Sequence, residues 1–153
     1  MEIERKFLTK EIPFSLEQYR FAKISQSYIS FSPTIRIRQS DTNYFLTVKG
    51  KGHLAREEFE MQLTKEQYQA LEKKCDTPPV IKKRYYVPLK DNLVAEIDFY
   101  EGKLKGLITT EVEFCSEQAA TCFVAPDWFG KEVTFDSRYK NTNLSLHGIP
   151  QTT

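Results

Sequence analysis

The chain has 153 residues, which is enough for one domain with a substantial core, and we expect residues 1–153 to form a single domain. Apolar residues make up 40% and charged residues 28% of the sequence, a composition typical of globular proteins rather than disordered ones. The 22 basic and 21 acidic side chains leave a formal net charge of +1, which argues against a stable nucleic-acid partner.

Eight segments rich in β-branched and aromatic residues, each bounded by turn formers, predict β-strands. In chain order they are Glu2–Leu8, Gln26–Phe31, Thr34–Gln39, Tyr44–Lys49, Ala55–Leu63, Val80–Leu89, Leu93–Tyr100 and Leu107–Phe114. Loops of hairpin length at residues 41–43, 50–52 and 91–92 join neighbouring segments, so the sheet is predicted to be largely antiparallel.

Helical signals are fewer than strand signals. Thr64 followed by Lys65-Glu66-Gln67 is a capping-box pattern, and Ser116 opens a second, shorter helix. A third helix is predicted to begin at Ser15 and to cover residues 16–21, and a fourth to cover residues 136–146. Eight strands with few helices predict a mostly β (α+β) fold, either a barrel or a sandwich.

The sequence also bears on the cellular location. No stretch approaches the roughly 18 apolar residues of a membrane span, and the acids Glu2 and Glu4 are unlike the start of a secretory signal. The three cysteines, Cys75, Cys115 and Cys122, lack metal-ligand spacing and are typical of small core residues in a reducing compartment. We therefore expect a cytoplasmic protein without a membrane partner, and the sequence does not indicate its oligomeric state.

Like-charged residues recur two positions apart in the predicted strands. Acidic pairs occur at Glu2/Glu4, Glu58/Glu60, Glu96/Asp98 and Glu111/Glu113, and basic pairs at Arg36/Arg38 and Lys82/Arg84, while Lys6 extends the first segment. Residues i and i+2 of a strand point to the same face, so each pair charges one face while the intervening apolar residue lies on the other. One solvated sheet face explains any single pair, but their recurrence favours a closed barrel with a charged lumen.

A lumen that holds many acids and bases is costly unless a ligand and a metal balance the charges. Carboxylate oxygens are the ligands that Mg²⁺ and Mn²⁺ prefer. Arginine and lysine side chains bind phosphate oxygens. The pattern therefore predicts a site for a metal–polyphosphate complex.

At its start the sequence Glu2-Ile3-Glu4-Arg5-Lys6-Phe7 resembles the Glu-x-Glu-x-Lys opening motif of the triphosphate tunnel metalloenzymes, or CYTH superfamily. The other charged pairs and Lys49 follow in the order of that family over nearly the whole chain. The resemblance implies an eight-stranded antiparallel closed β-barrel with a few helices packed outside it. Its lining would bind a triphosphate and a divalent cofactor, Mg²⁺ or Mn²⁺.

The resemblance further implies roles for the charged residues. The metal-binding carboxylates would be Glu2, Glu4, Glu111 and Glu113, with Asp98 either joining them or positioning the attacking water. The phosphate-binding cations would be Lys6, Arg36, Arg38, Lys49, Lys82 and Arg84, with Arg138 and Lys140 either adding contacts or lying on a solvated helix face. The candidate catalytic residues are Asp98, Glu4 and Lys82. Glu58, Glu60 and Glu96 would either orient basic side chains or bind a second metal.

The leading functional prediction is a metal-dependent triphosphatase, similar to the small bacterial members of this superfamily, that hydrolyses inorganic tripolyphosphate to pyrophosphate and phosphate. Thiamine triphosphate, nucleoside triphosphates and the 5′-triphosphate of RNA are alternative substrates. An adenylyl cyclase-type lyase and a non-catalytic polyphosphate binder also remain open. His53 and His147 have no partner motif and are interpreted as non-catalytic.

Overall fold

Antiparallel strands make up most of the computed structural model, which describes residues 1–151. The strands are β1 (Glu2–Leu8), β2 (Phe21–Phe31), β3 (Thr34–Ser40), β4 (Asn43–Lys49), β5 (Ala55–Arg56), β6 (Glu58–Leu63), β7 (Val80–Pro88), β8 (Val94–Tyr100) and β9 (Ile108–Glu113). The α-helices are α1 (Lys65–Glu72), α2 (Glu117–Cys122) and α3 (Asn141–His147). None of the helices in this part of the chain has the length and apolarity of a membrane span.

The strands form one sheet in the order β5-β1-β9-β8-β7-β2-β3-β4-β6. Its two outermost strands, β5 and β6, are consecutive in the chain and separated only by Glu57. Because β5 pairs with β1 while β6 pairs with β4, this bent segment joins the two ends of the sheet into a nearly closed barrel. The predicted barrel is confirmed. The strand count is nine rather than eight because the predicted strand 55–63 is divided at Glu57.

The hydrophobic core lies outside the barrel, between the sheet and the segments that cover it. Phe7, Ile97 and Val112 point outward from their strands and belong to a cluster that includes Ala120 of α2 and Phe129. A separate cluster forms where α1 covers the sheet around Ile37, Leu63 and Tyr68. Because strand side chains alternate between faces, placing the apolar residues outside leaves the charged ones to fill the interior.

The local capping signals largely match the helices observed. Thr64 accepts a hydrogen bond from the Gln67 amide and forms the predicted capping box at α1, and Ser116 caps α2. The helix predicted from Ser15 is wrong, because residues 16–19 form turns and bends and Phe21 already begins β2. In the C-terminal segment a 3₁₀ turn, Ser137–Tyr139, precedes α3 in place of one continuous helix.

Candidate functional site

The barrel encloses a cavity of about 260 Å³ whose lining is mainly charged and polar. Among the described residues, the cations that line it are Lys6, Arg36, Arg38, Lys49, Arg56, Arg84 and Lys140. The carboxylic acids that line it are Glu2, Glu4, Glu58, Glu60, Glu96, Glu111, Glu113 and Asp136. Most of the residues predicted for the site are therefore brought together in one cavity.

Antiparallel pairing places charged positions of neighbouring strands side by side, since directly opposite residues share a face. Glu4 on β1 lies opposite Glu113 on β9, and the next inward position of β1, Lys6, lies opposite Glu111. The first pair has like charges, which repel, and the second has opposite charges, which attract. Acidic and mixed-charge regions consequently occupy successive levels of the same barrel.

The acidic region contains a cluster of three carboxylates, Glu2, Glu4 and Glu113, hereafter the carboxylate cluster. Each offers one oxygen, and these oxygens all lie within 4.8 Å of one another. Burial, together with the charges of Glu111 and Glu2, raises the pKa of Glu4 well above its usual range. Partial burial and the neighbouring acids likewise raise the pKa of Glu113 to about 7.

This donor set fits a hard divalent cation. Three converging carboxylates supply the oxygen ligands that Mg²⁺ and Mn²⁺ prefer. Burial and the neighbouring acids raise the pKa values of Glu4 and Glu113 because too little positive charge lies nearby to offset them. A bound cation would remove that deficit.

Glu111, also predicted as a metal ligand, has different surroundings. Burial alone would raise its pKa, but Lys6, Arg84 and Lys82 hold that pKa well below its usual range. Its Oε1 lies 3.6 Å from Arg84 Nη2. Glu111 therefore lies between the carboxylate cluster and the basic side chains, as an ionised acid compensated by cations.

A buried ion-pair network anchors Arg84. Its Nε and Nη2 donate to the two carboxylate oxygens of Asp98 at 2.7 and 2.9 Å, and Lys82 Nζ lies 2.9 Å from Asp98 Oδ2. Burial would raise the pKa of Asp98, yet the two cations hold it below its usual range. Burial lowers the pKa of Lys82 to about 7.

This network separates residues that the sequence pattern treats alike. Asp98 is 0% and Lys82 1% exposed, and they lie behind the side chains that line the cavity, whereas Arg84 reaches it. Asp98 was predicted to ligate metal or position water, and Lys82 to contact phosphate. In the structure their contacts are with each other and with Arg84.

A second group of ion pairs surrounds Glu2. Lys49 Nζ lies 3.0 Å and Arg56 Nε 3.7 Å from Glu2 Oε1. Burial raises the pKa of Glu2, but the charge of Lys49 and a hydrogen bond with Glu58 lower it by more. The pKa of Glu2 therefore lies below its usual value. Burial, the hydrogen bond with Glu2 and the charge of Glu2 raise the pKa of Glu58. Glu58 therefore forms a carboxylate pair with Glu2.

Two further lining residues, Arg36 and Glu60, are linked through a threonine. Arg36 Nη2 donates to Thr47 Oγ1 at 3.2 Å, and that hydroxyl donates to Glu60 Oε2 at 3.3 Å. Arg36 Nε is buried without a hydrogen-bond partner among the described residues. A buried guanidinium with a free donor is suited to an additional acceptor, such as an anion in the cavity.

The C-terminal segment covers one end of the cavity. Lys6 Nζ donates to the Tyr139 carbonyl at 2.7 Å, and Lys140 Nζ donates to the Gly52 carbonyl at 3.0 Å. Lys140 lines the cavity, as one of its two predicted alternatives requires. Arg138 instead lies on the surface, with its side chain 57% exposed and bound to Asp136 at 2.7 Å.

Sequence reasoning missed several lining residues. Arg56 was missed although it continues the two-residue spacing of Glu58 and Glu60, which was the available signal. Tyr28 and Tyr86 are uncharged and give no such signal. His53, interpreted as non-catalytic, also lines the cavity, with its ring centroid 6.1 Å from that of Phe135.

Comparisons with known proteins agree with this geometry. An inorganic triphosphatase from Nitrosomonas europaea is 42% identical over 149 residues, covering 95% of this chain and 97% of that protein. An inorganic triphosphatase from Acetivibrio thermocellus is 34% identical, covering 94% of this chain and 92% of that protein. No family model matches the chain.

Solved structures show the same architecture. A crystal structure of an inorganic triphosphatase superposes with a TM-score of 0.71 at 38% identity, covering 99% of this chain and 97% of the other. A Hippeastrum protein with a dominant triphosphatase activity gives a TM-score of 0.57 at 16% identity, covering 79% of this chain and 83% of the other. The second likeness concerns the fold alone. On the first comparison and the two sequence relatives, this chain belongs to the inorganic triphosphatase family.

Proposed function

We propose that this protein is a metal-dependent triphosphatase that hydrolyses inorganic tripolyphosphate to pyrophosphate and phosphate. One observation carries the proposal: the carboxylate cluster and the cationic side chains line a single cavity inside the barrel. A metal–triphosphate complex needs both an oxygen-donor site and several positive charges, and this cavity offers both. The two relatives named inorganic triphosphatase support the same reaction.

The carboxylate cluster is proposed to hold Mg²⁺ or Mn²⁺ through Glu2, Glu4 and Glu113. When bound there, such an ion supplies Lewis-acid stabilisation of phosphoryl oxygens and lowers the pKa of a bound water. Glu111 lies two residues from Glu113 on β9, and the charges of Lys6 and Arg84 compensate its own. It is therefore proposed either to join the metal ligands or to orient the basic side chains.

The cationic lining is proposed to bind and orient the phosphates. Arg36, Arg38 and Arg84 present planar guanidinium groups, which pair well with phosphate oxygens, while Lys6 and Lys49 present point charges. Fixed donors that line the cavity stabilise the charge that spreads over the transferred phosphoryl group. Lys82 and Asp98 are proposed to act through Arg84, by holding its guanidinium in one orientation.

A cytoplasmic location is also part of the proposal. Cys75, Cys115 and Cys122 are all free thiols, but the last two are exposed and the first is half-buried, so the prediction that they are core residues is wrong. Unpaired exposed thiols persist most readily in a reducing compartment. The proposed substrate, tripolyphosphate, is a small water-soluble anion that would be met in that compartment.

The test is phosphate release in the presence of Mg²⁺ or Mn²⁺, with chelator controls, from tripolyphosphate, ATP and thiamine triphosphate, with products identified. Preferential release from tripolyphosphate with pyrophosphate as the second product is the expected result. Release only from an organic triphosphate would reassign the substrate. Cyclic AMP formed from ATP would indicate a lyase, and intact tripolyphosphate bound without turnover would indicate a binding protein.

Two variants test the metal assignment. Glu4→Gln and Glu113→Gln should lose activity by at least the roughly 10- to 100-fold that changes beside a metal site typically cost. Glu117→Gln, an equivalent change on the outer helix α2, is the matched control and should retain full activity. Full activity in both cavity variants would refute the proposed metal site.

A further inference from the structure

A buried neutral side chain, Gln26, lies among the cationic residues of the cavity. Gln26 is on β2, directly opposite Arg38 on β3, and is 0% exposed. Its Oε1 accepts two hydrogen bonds from Arg38, from Nε at 3.0 Å and from Nη2 at 2.8 Å. Its Nε2 donates to the Tyr28 hydroxyl at 3.0 Å, so both ends of the amide are engaged.

Arg38 and Arg84 both donate hydrogen bonds through Nε and Nη2, but the side chains that accept these bonds differ. Arg84 uses Nε and Nη2 to bind a carboxylate, Asp98, and also lies within 4.0 Å of Glu96 and Glu111. Arg38 uses Nε and Nη2 to bind an amide, and no ion pair to Arg38 is present among the described residues. The positive charge of Arg84 is therefore compensated by protein acids, and that of Arg38 is not.

The surroundings of Arg38 confirm this lack of compensation. Burial, followed by the charges of Arg36 and Arg84, lowers its pKa to about 10. The group still carries its charge at neutral pH, but at a free-energy cost that an anion in the cavity would relieve. Its Nη1 is the donor group that Gln26 leaves free, and Arg38 lines the cavity.

We propose that Gln26 is a positioning residue that fixes the guanidinium of Arg38 toward the phosphates while leaving its positive charge uncompensated. The inference rests on the proposed function, because it requires a phosphate ligand in the cavity. A carboxylate at this position would hold the same fork equally well but would neutralise it. Tyr28 contributes by binding the amide nitrogen, which keeps the carbonyl oxygen directed at Arg38.

The decisive variant is Gln26→Glu, which keeps the size and the acceptor but adds a negative charge. We expect the melting temperature without ligand to stay the same or rise, because a half-buried cation gains a partner of opposite charge. We expect the Kd for tripolyphosphate, measured by calorimetry in a chelator, to rise by about 10- to 100-fold, the range for losing one charge-assisted contact. Stability and affinity should therefore change in opposite directions, which a merely structural role for Gln26 would not produce.

A second variant separates orientation from charge. Gln26→Met is similar in size and neutral but lacks the acceptor, so it releases the guanidinium without neutralising it. We expect the KM for tripolyphosphate to rise in this variant more than kcat falls. Gln39→Glu on β3, where the side chain binds the Asp41 carbonyl outside the cavity, is the matched control and should leave Kd and KM unchanged.

The outcomes distinguish the two proposals. Wild-type affinity in Gln26→Glu, or a fall in its melting temperature parallel to the loss of affinity, would overturn the positioning role alone. An unchanged KM in Gln26→Met would do the same. A wild-type chain that neither binds nor hydrolyses tripolyphosphate would overturn the proposed function, and the role of Gln26 with it.

Discussion

Replacing Asp98 by asparagine tests whether this acid serves the metal or the arginine. Asp98 is completely buried and is the shared partner of Arg84 and Lys82. Asp98→Asn removes the negative charge and leaves two buried cations without it. Breaking a buried ion pair in this way costs about 3–5 kcal/mol of unfolding free energy. For a chain of this length that corresponds to a fall of about 6–20 °C in melting temperature.

The assay is urea unfolding in the presence of a chelator, combined with calorimetric titration of Mn²⁺. Glu96→Gln is the control, because Glu96 contacts the same Arg84 at 3.5 Å but retains 20% of its side-chain exposure. Because that contact is longer and less buried than the pair of Arg84 with Asp98, its loss should cost less unfolding free energy than Asp98→Asn. We expect Asp98→Asn to lose stability and retain Mn²⁺ affinity. A variant of native stability whose Mn²⁺ affinity falls would refute this reasoning and make Asp98 a metal ligand.

Three further predictions follow from single positions. Because the pKa of Glu113 is raised to about 7, protons compete with Mn²⁺ for its carboxylate. The affinity for Mn²⁺, measured by calorimetry, should fall by about tenfold per pH unit below 7. In Glu113→Gln the affinity should depend less steeply on pH. A Cβ at residue 130 would clash with the Leu8 carbonyl oxygen. Gly130→Ala should therefore lower the urea midpoint more than Gly50→Ala, where the nearest atom to an added Cβ lies at 3.6 Å and φ is not positive. Equal shifts would contradict this. Phe7 is buried in the outer core, so Phe7→Ala should lower the unfolding free energy by about 3–5 kcal/mol. A decrease of only about 1 kcal/mol in urea unfolding would show that the core repacks around the smaller side chain.

The inward direction of the charged residues was predictable from the sequence because it depends only on the two-residue period of a strand. Glu4, Arg36 and Glu111 all reach the cavity as that period predicts. The same period also contained the signal for Arg56, which has the spacing of Glu58 but opposite charge. Charge alternation in strands therefore predicts a barrel lining well even from a single sequence.

Depth within the barrel was not predictable in the same way. Glu96 and Asp98 have the same spacing, yet Glu96 lines the cavity and Asp98 lies behind it, because register places Arg84 directly opposite Asp98. The absence of a helix after Ser15 has a related cause. Phe21 pairs with Tyr85 across β2 and β7, and this tertiary contact outweighs a local helical preference.

The division between β5 and β6 makes one part of the ring a seam. Only Glu2 and Ile3 of β1 pair with β5, whereas five register pairs join β1 to β9. Across this seam the ion pairs of Glu2 with Lys49 and Arg56 supplement the short ladder. Residues that line the cavity therefore also help to close the barrel. We therefore expect a ligand that binds Lys49 or a metal that binds Glu2 to weaken these ion pairs and, with them, the closure of the ring.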